Sequence, residues 1–249
     1  MSSLTIGLNR RFIVMPKEHA FSTEKYVWTQ VAYIKEKING YNKGPTYIEF
    51  GGKPFGDFHA ARVLPGYNEH CKAFILQELG LIATVVMVIN ARDIFPEPTG
   101  RYPNGRLRGD SGLRYRDETL RLIDEAHTFG IAISSVVISI CPRKLKEREI
   151  ETVEVFRNAL LGRGVKLFCH FEISEYPHLS VLEQPKLFLD NDVVAEPGGN
   201  LIVLSPGGGS GKFGVILSEL YYAIQHGESL EFNEIRDFPR VYFTGKPSA

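Results

Sequence analysis

Four apolar runs interrupt this chain at intervals, and none of them alternates: LIATVVMVI at 81–89, IAISSVVISI at 131–140, VKLFC at 165–169 and LIVLS at 201–205. A strand with one face in water alternates apolar and polar residues. A short run that is apolar throughout and rich in β-branched residues suits a strand covered on both faces. Between the runs the period changes to 3.6. Val27, Val31, Ile34 and Ile38 share one helical face, which Ser22 or Thr23 can cap and Gly40 can stop. Further helices are predicted near 68–79, 117–129, 146–161 and 211–226, and TYIEF at 46–50 reads as one more strand. Strand and helix in alternation predict an α/β chain: a three-layer, Rossmann-like parallel sheet with helices on both faces and ligands at the carboxyl ends of the strands. The domain is placed at 23–227, between extensions at 1–22 and 228–249 that show no clear pattern.

Charge removes some functions from consideration. The 249 residues carry 29 basic and 29 acidic side chains, a balance unlike that of chains built to coat nucleic acid or an anionic membrane. The longest apolar run is about half a membrane span. In MSSLTIGLNRRFIVMPK the arginines lie inside the apolar stretch, unlike a signal peptide. Cys71, Cys141 and Cys169 are far apart and form no CxxC pair, so reduced thiols and a cytoplasmic chain are expected. His170 and His178 lack zinc-ligand spacing, G-x-S-x-G is absent, and GGKPFG is not the G-x-G-x-x-G of nicotinamide binding.

Three stretches carry the candidate chemistry. The first is SPGGGSGKFG at 205–214, between a predicted strand and a predicted helix. Glycines let backbone N–H groups turn inward, the helix N-terminus adds partial positive charge, and a lysine supplies a full one. Gly207, Gly208, Gly209, Ser210, Gly211 and Lys212 are thus predicted to cradle a phosphate. Against the Walker A template, Gly211 and Lys212 match, Pro206 replaces the first glycine and Phe213 stands where the magnesium-binding hydroxyl belongs. A tight turn needed only for packing, with Lys212 solvated, explains the same glycines.

The second stretch, IEFGGKPFGDFHAARVLPGY at 48–67, gathers Glu49, Lys53, Asp57, His59 and Arg62 after a strand. If 57–62 is helical, His59 and Arg62 share a face. His59 is the natural proton carrier, with Glu49 as the alternative and Arg62 to neutralise developing charge. A structural Asp57–Arg62 pair is the competing explanation. The third stretch runs from Asn90 to Arg116, with NARD at 90–93 and then a long loop holding five arginines. Arg106 and Arg108 are candidate phosphate clamps, Lys53, Asn90 and Arg106 candidate substrate contacts, and Asp93 or Asp110 candidates to hold Mg²⁺ through water. A solvated hairpin whose arginines offset nearby acids is the alternative.

Taken together, EFGGK at 49–53, DFHAARVLPG at 57–66, VINARDI at 88–94, RGDSGLRY at 108–115, LRLIDEA at 120–126, SSVVIS at 134–139 and PGGGSGK at 206–212 resemble a bacterial family of uncharacterised proteins. It is known as the domain of unknown function numbered 1846, or uncharacterised protein family 0371, and the resemblance spans roughly 23–226. Family members carry PGPGSGK where this chain has PGGGSGK, and their loop after NA-x-DI is shorter than the proline-rich stretch 95–105 here. They are also about twice this length. The resemblance brings no reaction with it. It implies a nucleotide-type α/β fold and adds weight to Glu49, Lys53, His59, Arg62, Asn90, Asp93, Arg108, Asp110 and Lys212. It also implies a second half beyond this chain, and self-association to a homo-oligomer is the expected way to cover the open side of the cleft.

The function expected is therefore an enzyme that binds a phosphate-bearing small molecule, ATP or another nucleotide with Mg²⁺, and transfers or activates a group on it. The alternatives are a non-catalytic binding or regulatory subunit, and a lyase or nucleosidase acting on a phosphorylated sugar. No nucleic acid, membrane, zinc or NAD is expected.

Overall fold

The computed structural model describes residues 21–39, 44–95, 106–109, 111–173, 184, 186–196 and 199–227, and the backbone of 231–235. In chain order the elements are α1 (Thr23–Ile38), β1 (Thr46–Phe50), α2 (Phe58–Val63), α3 (Cys71–Leu79), β2 (Thr84–Asn90), α4 (Ala91–Ile94), α5 (Tyr115–Thr128), β3 (Ser135–Cys141), α6 (Glu147–Leu161), β4 (Lys166–Phe171), α7 (Lys186–Leu189), β5 (Leu201–Leu204), α8 (Lys212–Gln225) and β6 (Glu231–Ile235). The six strands form one sheet in the order β4-β3-β2-β5-β1-β6, and every neighbouring pair is parallel.

That order explains where the helices go. From β1 the chain steps in one direction to β2, β3 and β4, then returns in the other direction to β5 and β6. Right-handed crossovers put the helices of opposite steps on opposite faces. The core agrees. Ile48, Phe50, Val85, Met87, Ile89 and Ile138 pack with Ile34 of α1, Leu76 of α3, Leu122 of α5 and Phe156 of α6. The alternate strand positions Tyr47, Val86, Val88, Val137 and Val203 pack with Val215, Ile216 and Ala223 of α8. Strand β5 lies between β1 and β2, but the chain leaves it toward the other face. Such a divergence opens a crevice at the carboxyl ends of the strands.

Several boundaries differ from the sequence expectation. The run at 81–89 becomes strand only at Thr84, because Ile82 N–H turns back to the carbonyl of Leu79 and leaves Leu81 84% exposed. The run at 131–140 enters the sheet only at Ser135, although Ile131 and Ile133 are buried. The predicted helix at 68–79 begins at Cys71, after a turn closed by its N–H onto Asn68. Residues 231–235, which show no clear pattern in sequence, pair in parallel with β1. Among the described residues no helix is long and apolar enough to cross a membrane. Cys141 and Cys169 meet on neighbouring strands, although 28 positions apart in sequence. Their shared thiol hydrogen bond, with burial adding to it, pushes the Cys141 thiol up, and the same bond holds Cys169 below its usual value against the opposing effect of burial.

Two buried titratable groups hold the segment before β5, and they respond to pH in opposite senses. His170 on β4 donates from Nε2 to the carbonyl of Asp192 at 2.8 Å, and burial lowers its pKa to about 4. Glu219 on α8 accepts the N–H groups of Val194 and Ala195, and burial raises its pKa to about 7. For His170 the unfolded chain binds the proton first, so its contribution is present at neutral pH and is lost as pH falls from 6.5 toward 4. For Glu219 the folded chain keeps the proton longer, so its contribution is lost as pH rises from 4.5 through 7. Shifts of this size correspond to about 3 kcal/mol each. Between pH 4.5 and 6.5 the two slopes oppose each other. We expect Glu219→Gln to leave a stability that rises with pH across that window, and His170→Gln one that falls. Urea unfolding at a series of pH values tests this, and profiles parallel to the parent's would refute it.

Candidate functional site

The glycine-rich turn is held by three strands. Beyond β5, the Ser205 hydroxyl donates to the carbonyl of Gly207 at 2.9 Å and accepts from the Lys212 ammonium at 3.1 Å. That ammonium also lies 3.4 Å from Oε1 of Glu49, near the end of β1. Asn90, the last residue of β2, donates from Nδ2 to the carbonyl of Gly209 at 2.9 Å and caps α4 through the N–H of Arg92. Ser139 on β3 donates its hydroxyl to the carbonyl of Ser210. The turn then enters α8 through Gly211 at φ +84°, where a Cβ would lie 2.4 Å from Ser139 Oγ. A Cβ on Gly207 would lie 2.7 Å from the ring of Tyr115, whereas one on Gly208 or Gly209 would meet nothing. The turn is thus tight on its protein side and open on the other. The N-terminus of the fourteen-residue α8 adds partial positive charge there.

The arginines of the 95–116 loop that the structure describes are engaged internally. Arg106 Nε lies 2.9 Å from Oδ1 of Asp93, its Nη2 donates to Oδ2 at 3.3 Å, and its guanidinium stacks on Tyr115 at 4.6 Å. The residue expected to contact substrate and the one expected to hold a metal are therefore partners of each other. Burial pushes the Asp93 carboxyl up, and Arg106 and Arg92 pull it back. Arg108 is buried, its Nη1 donating to Oε1 of Glu118 at 2.6 Å and to the carbonyl of Pro206 at 2.7 Å. It braces the glycine turn, while Glu118 is shared with Arg121 at 2.9 Å. Asp110, Arg101 and the proline-rich stretch up to 105 lie outside the described residues. Among the described residues no three His, Cys, Asp or Glu side chains are grouped to hold a metal ion.

Two adjoining recesses open beside this turn. The smaller, about 400 Å³, is lined by Gly207, Gly208, Lys212, Ser205, Tyr115 and Arg108. The larger, about 1110 Å³, is bounded by α2 and by α5. Gly52, Lys53 and Arg108 line both. His59 and Arg62 sit exposed on α2 in the larger recess. The structure therefore brings Lys212, Gly207, Gly208, Lys53 and Arg108 to one cleft and places His59 and Arg62 in its extension. Asn90, Asp93 and Ser210 are buried behind it as supports, and Glu49 reaches it through Lys212. Ser139 and Glu118 were missed in sequence. Ser139 had one available signal, a hydroxyl close to the carboxyl end of a mostly apolar strand.

The profile of the family described as "Domain of unknown function DUF1846, N-terminal" matches residues 19–243. A "UPF0371 protein" of Streptococcus pneumoniae (strain Hungary19A-6) is 37% identical over 224 residues, covering 90% of this chain and 42% of its own length. Another, from Streptococcus pneumoniae (strain CGSP14), is 36% identical over 224 residues with the same coverage. The chain thus spans less than half the length of these curated relatives.

Proposed function

We propose, from the premise that this chain belongs to the family described as domain of unknown function DUF1846, N-terminal, that it binds a phosphate-bearing small molecule, a nucleotide being the first choice, and transfers or activates a group on it. We propose likewise that the sheet is a three-layer, Rossmann-like one whose P-loop-like turn follows β5.

One observation carries the reading. At the point where the chain leaves β5 toward the opposite face, a turn with open glycines delivers Lys212 to the start of a long helix, with its ammonium beside a recess of about 400 Å³. Helix N–H groups and a lysine together match a phosphate in charge and geometry. An arriving phosphate would compete with Glu49 for Lys212, and a carboxylate so released would be available to take a proton. His59 and Arg62 would act from the adjoining recess, one on a proton and the other on charge developing in the transferred group. Phe213 on the first turn of α8, in place of a hydroxyl, separates this reading from ATP hydrolysis of the Walker type.

Lys212→Ala is expected to fold as the parent does and to bind ADP and inorganic phosphate about 10–100-fold more weakly, the range of a charge-assisted hydrogen bond. Calorimetric titration of both proteins decides the matter, and equal affinities would remove the phosphate cradle.

A further inference from the structure

Helix α2 is six residues long and has no buried residue. A helix that short does not persist alone, and only Ala60 and Ala61 pack against the core. Both its ends are nevertheless pinned. At its start, Oδ1 of Asp57 accepts the N–H of Ala60 at 3.2 Å, the N–H of Asp57 donates to the carbonyl of Glu69 at 3.0 Å, and the Lys72 ammonium lies 3.8 Å from Oδ2. Just past its end, the carbonyl of Pro65 accepts the N–H of Phe21 at 2.8 Å and that of Gly66 accepts the Thr23 hydroxyl at 2.7 Å. Gly66, at φ +90°, runs so close to Phe21 that a Cβ would lie 2.3 Å from its carbonyl oxygen. Such pinning holds in place the face that α2 turns to the larger recess: Phe58, His59, Arg62 and Val63. Phe58 is 56% exposed and Val63 61%.

The polar side chains of this recess separate into two kinds. Arg108 and Arg121 are neutralised by Glu118 and Glu125. His59 and Arg62 make no hydrogen bond or ion pair among the described residues. A guanidinium one helical turn from an imidazole, both flanked by exposed apolar side chains, matches an anionic group carried on an organic body. The recess is continuous with the glycine turn through Gly52, Lys53 and Arg108.

We infer that the ligand is an organic phosphate with a second anionic group, a carboxylate or another phosphate: the first phosphate sits at 206–212, and Arg62 with His59 grips the second anion while Phe58 and Val63 cover the body between. This inference rests on the phosphate reading above and names its substrate class.

The test is calorimetric titration with three kinds of probe: inorganic phosphate, alkylphosphonates, and ω-phosphonocarboxylates from phosphonoacetate to 6-phosphonohexanoate. At least one phosphonocarboxylate is expected to bind about tenfold or more tightly than the alkylphosphonate of the same chain length, as one charge-assisted contact allows. Arg62→Ala and His59→Asn remove that advantage and leave inorganic phosphate within a factor of two. Lys212→Ala weakens all three kinds of probe. If the phosphonocarboxylates hold no advantage in the parent, or keep it in Arg62→Ala, the second-anion site is wrong while the phosphate cradle stands. If no probe binds, or Lys212→Ala binds all of them like the parent, the cradle fails and the inference with it. Arg62 is exposed on a helix with no buried residue, so circular dichroism of Arg62→Ala is expected to match the parent.

Discussion

Gly211→Ala is expected to destabilise the protein by about 3 kcal/mol, and its thermal midpoint is expected to fall by roughly 6–12 °C. Two independent effects add. At φ +84° an L side chain costs about 1 kcal/mol from the left-handed backbone alone. The new methyl would also lie 2.4 Å from Ser139 Oγ and 2.9 Å from Ser139 Cβ, inside a sheet that has no room to yield. The two effects can be separated. Ser139→Ala removes the nearer atom, so the double variant Gly211→Ala/Ser139→Ala should be more stable than the sum of the single losses predicts. Denaturant unfolding of the four proteins in the cycle measures that coupling. A Gly211→Ala protein as stable as the parent would mean that the turn does not enter α8 in this conformation. Gly208→Ala is the internal control, because its Cβ meets nothing and it carries no positive φ.

Arg108→Ala is expected to lower stability by about 3 kcal/mol, and to do so without ligand. Arg108 and Glu118 are nearly out of solvent, with side chains 9% and 3% exposed. Removing the guanidinium strands a buried carboxylate and orphans the carbonyl of Pro206, which it also holds. Arg121 still reaches Glu118, which keeps the loss at the lower end of the range for broken buried pairs. If Arg108 were a free phosphate clamp, the same variant would keep its thermal midpoint and lose only affinity. A second variant checks the cause: Arg108→Met with Glu118→Leu removes both charges and should recover most of the loss. Thermal unfolding of the apo proteins distinguishes the two roles.

The arginines show where sequence reading reaches its limit. Five of them in a loop between Asn90 and Arg116 look like an anion site, because a sequence displays charges and not their neighbours. Folding places Asp93 against Arg106, 13 positions away, and Glu118 against Arg108, 10 positions away. A buried charge, here Asp93, Arg108 and Glu118, must be paired, so these pairings follow from burial, which no local pattern reports. Arg62 and His59 came from a fainter signal, the possibility that 57–62 is helical. Among the described residues neither makes a hydrogen bond or ion pair, and their helix has no buried residue.

By itself the sequence determined the alternation of strand and helix and the parallel sense of the sheet. Both are written in local periodicity and in runs with no polar face, and both survive displaced boundaries at 84, 135 and 71. It also determined that a glycine turn delivers Lys212 to a helix start. The strand order β4-β3-β2-β5-β1-β6, the parallel pairing of β6 on β1, and the meeting of Glu49, Ser205 and Lys212 were decided only by the tertiary structure. The reason is distance along the chain. Periodicity reports which face of an element is buried, whereas strand order and side-chain partnership depend on which of many apolar faces and charges meet across a hundred residues or more. Handed crossovers and the burial of both sheet faces settle that competition in the folded state.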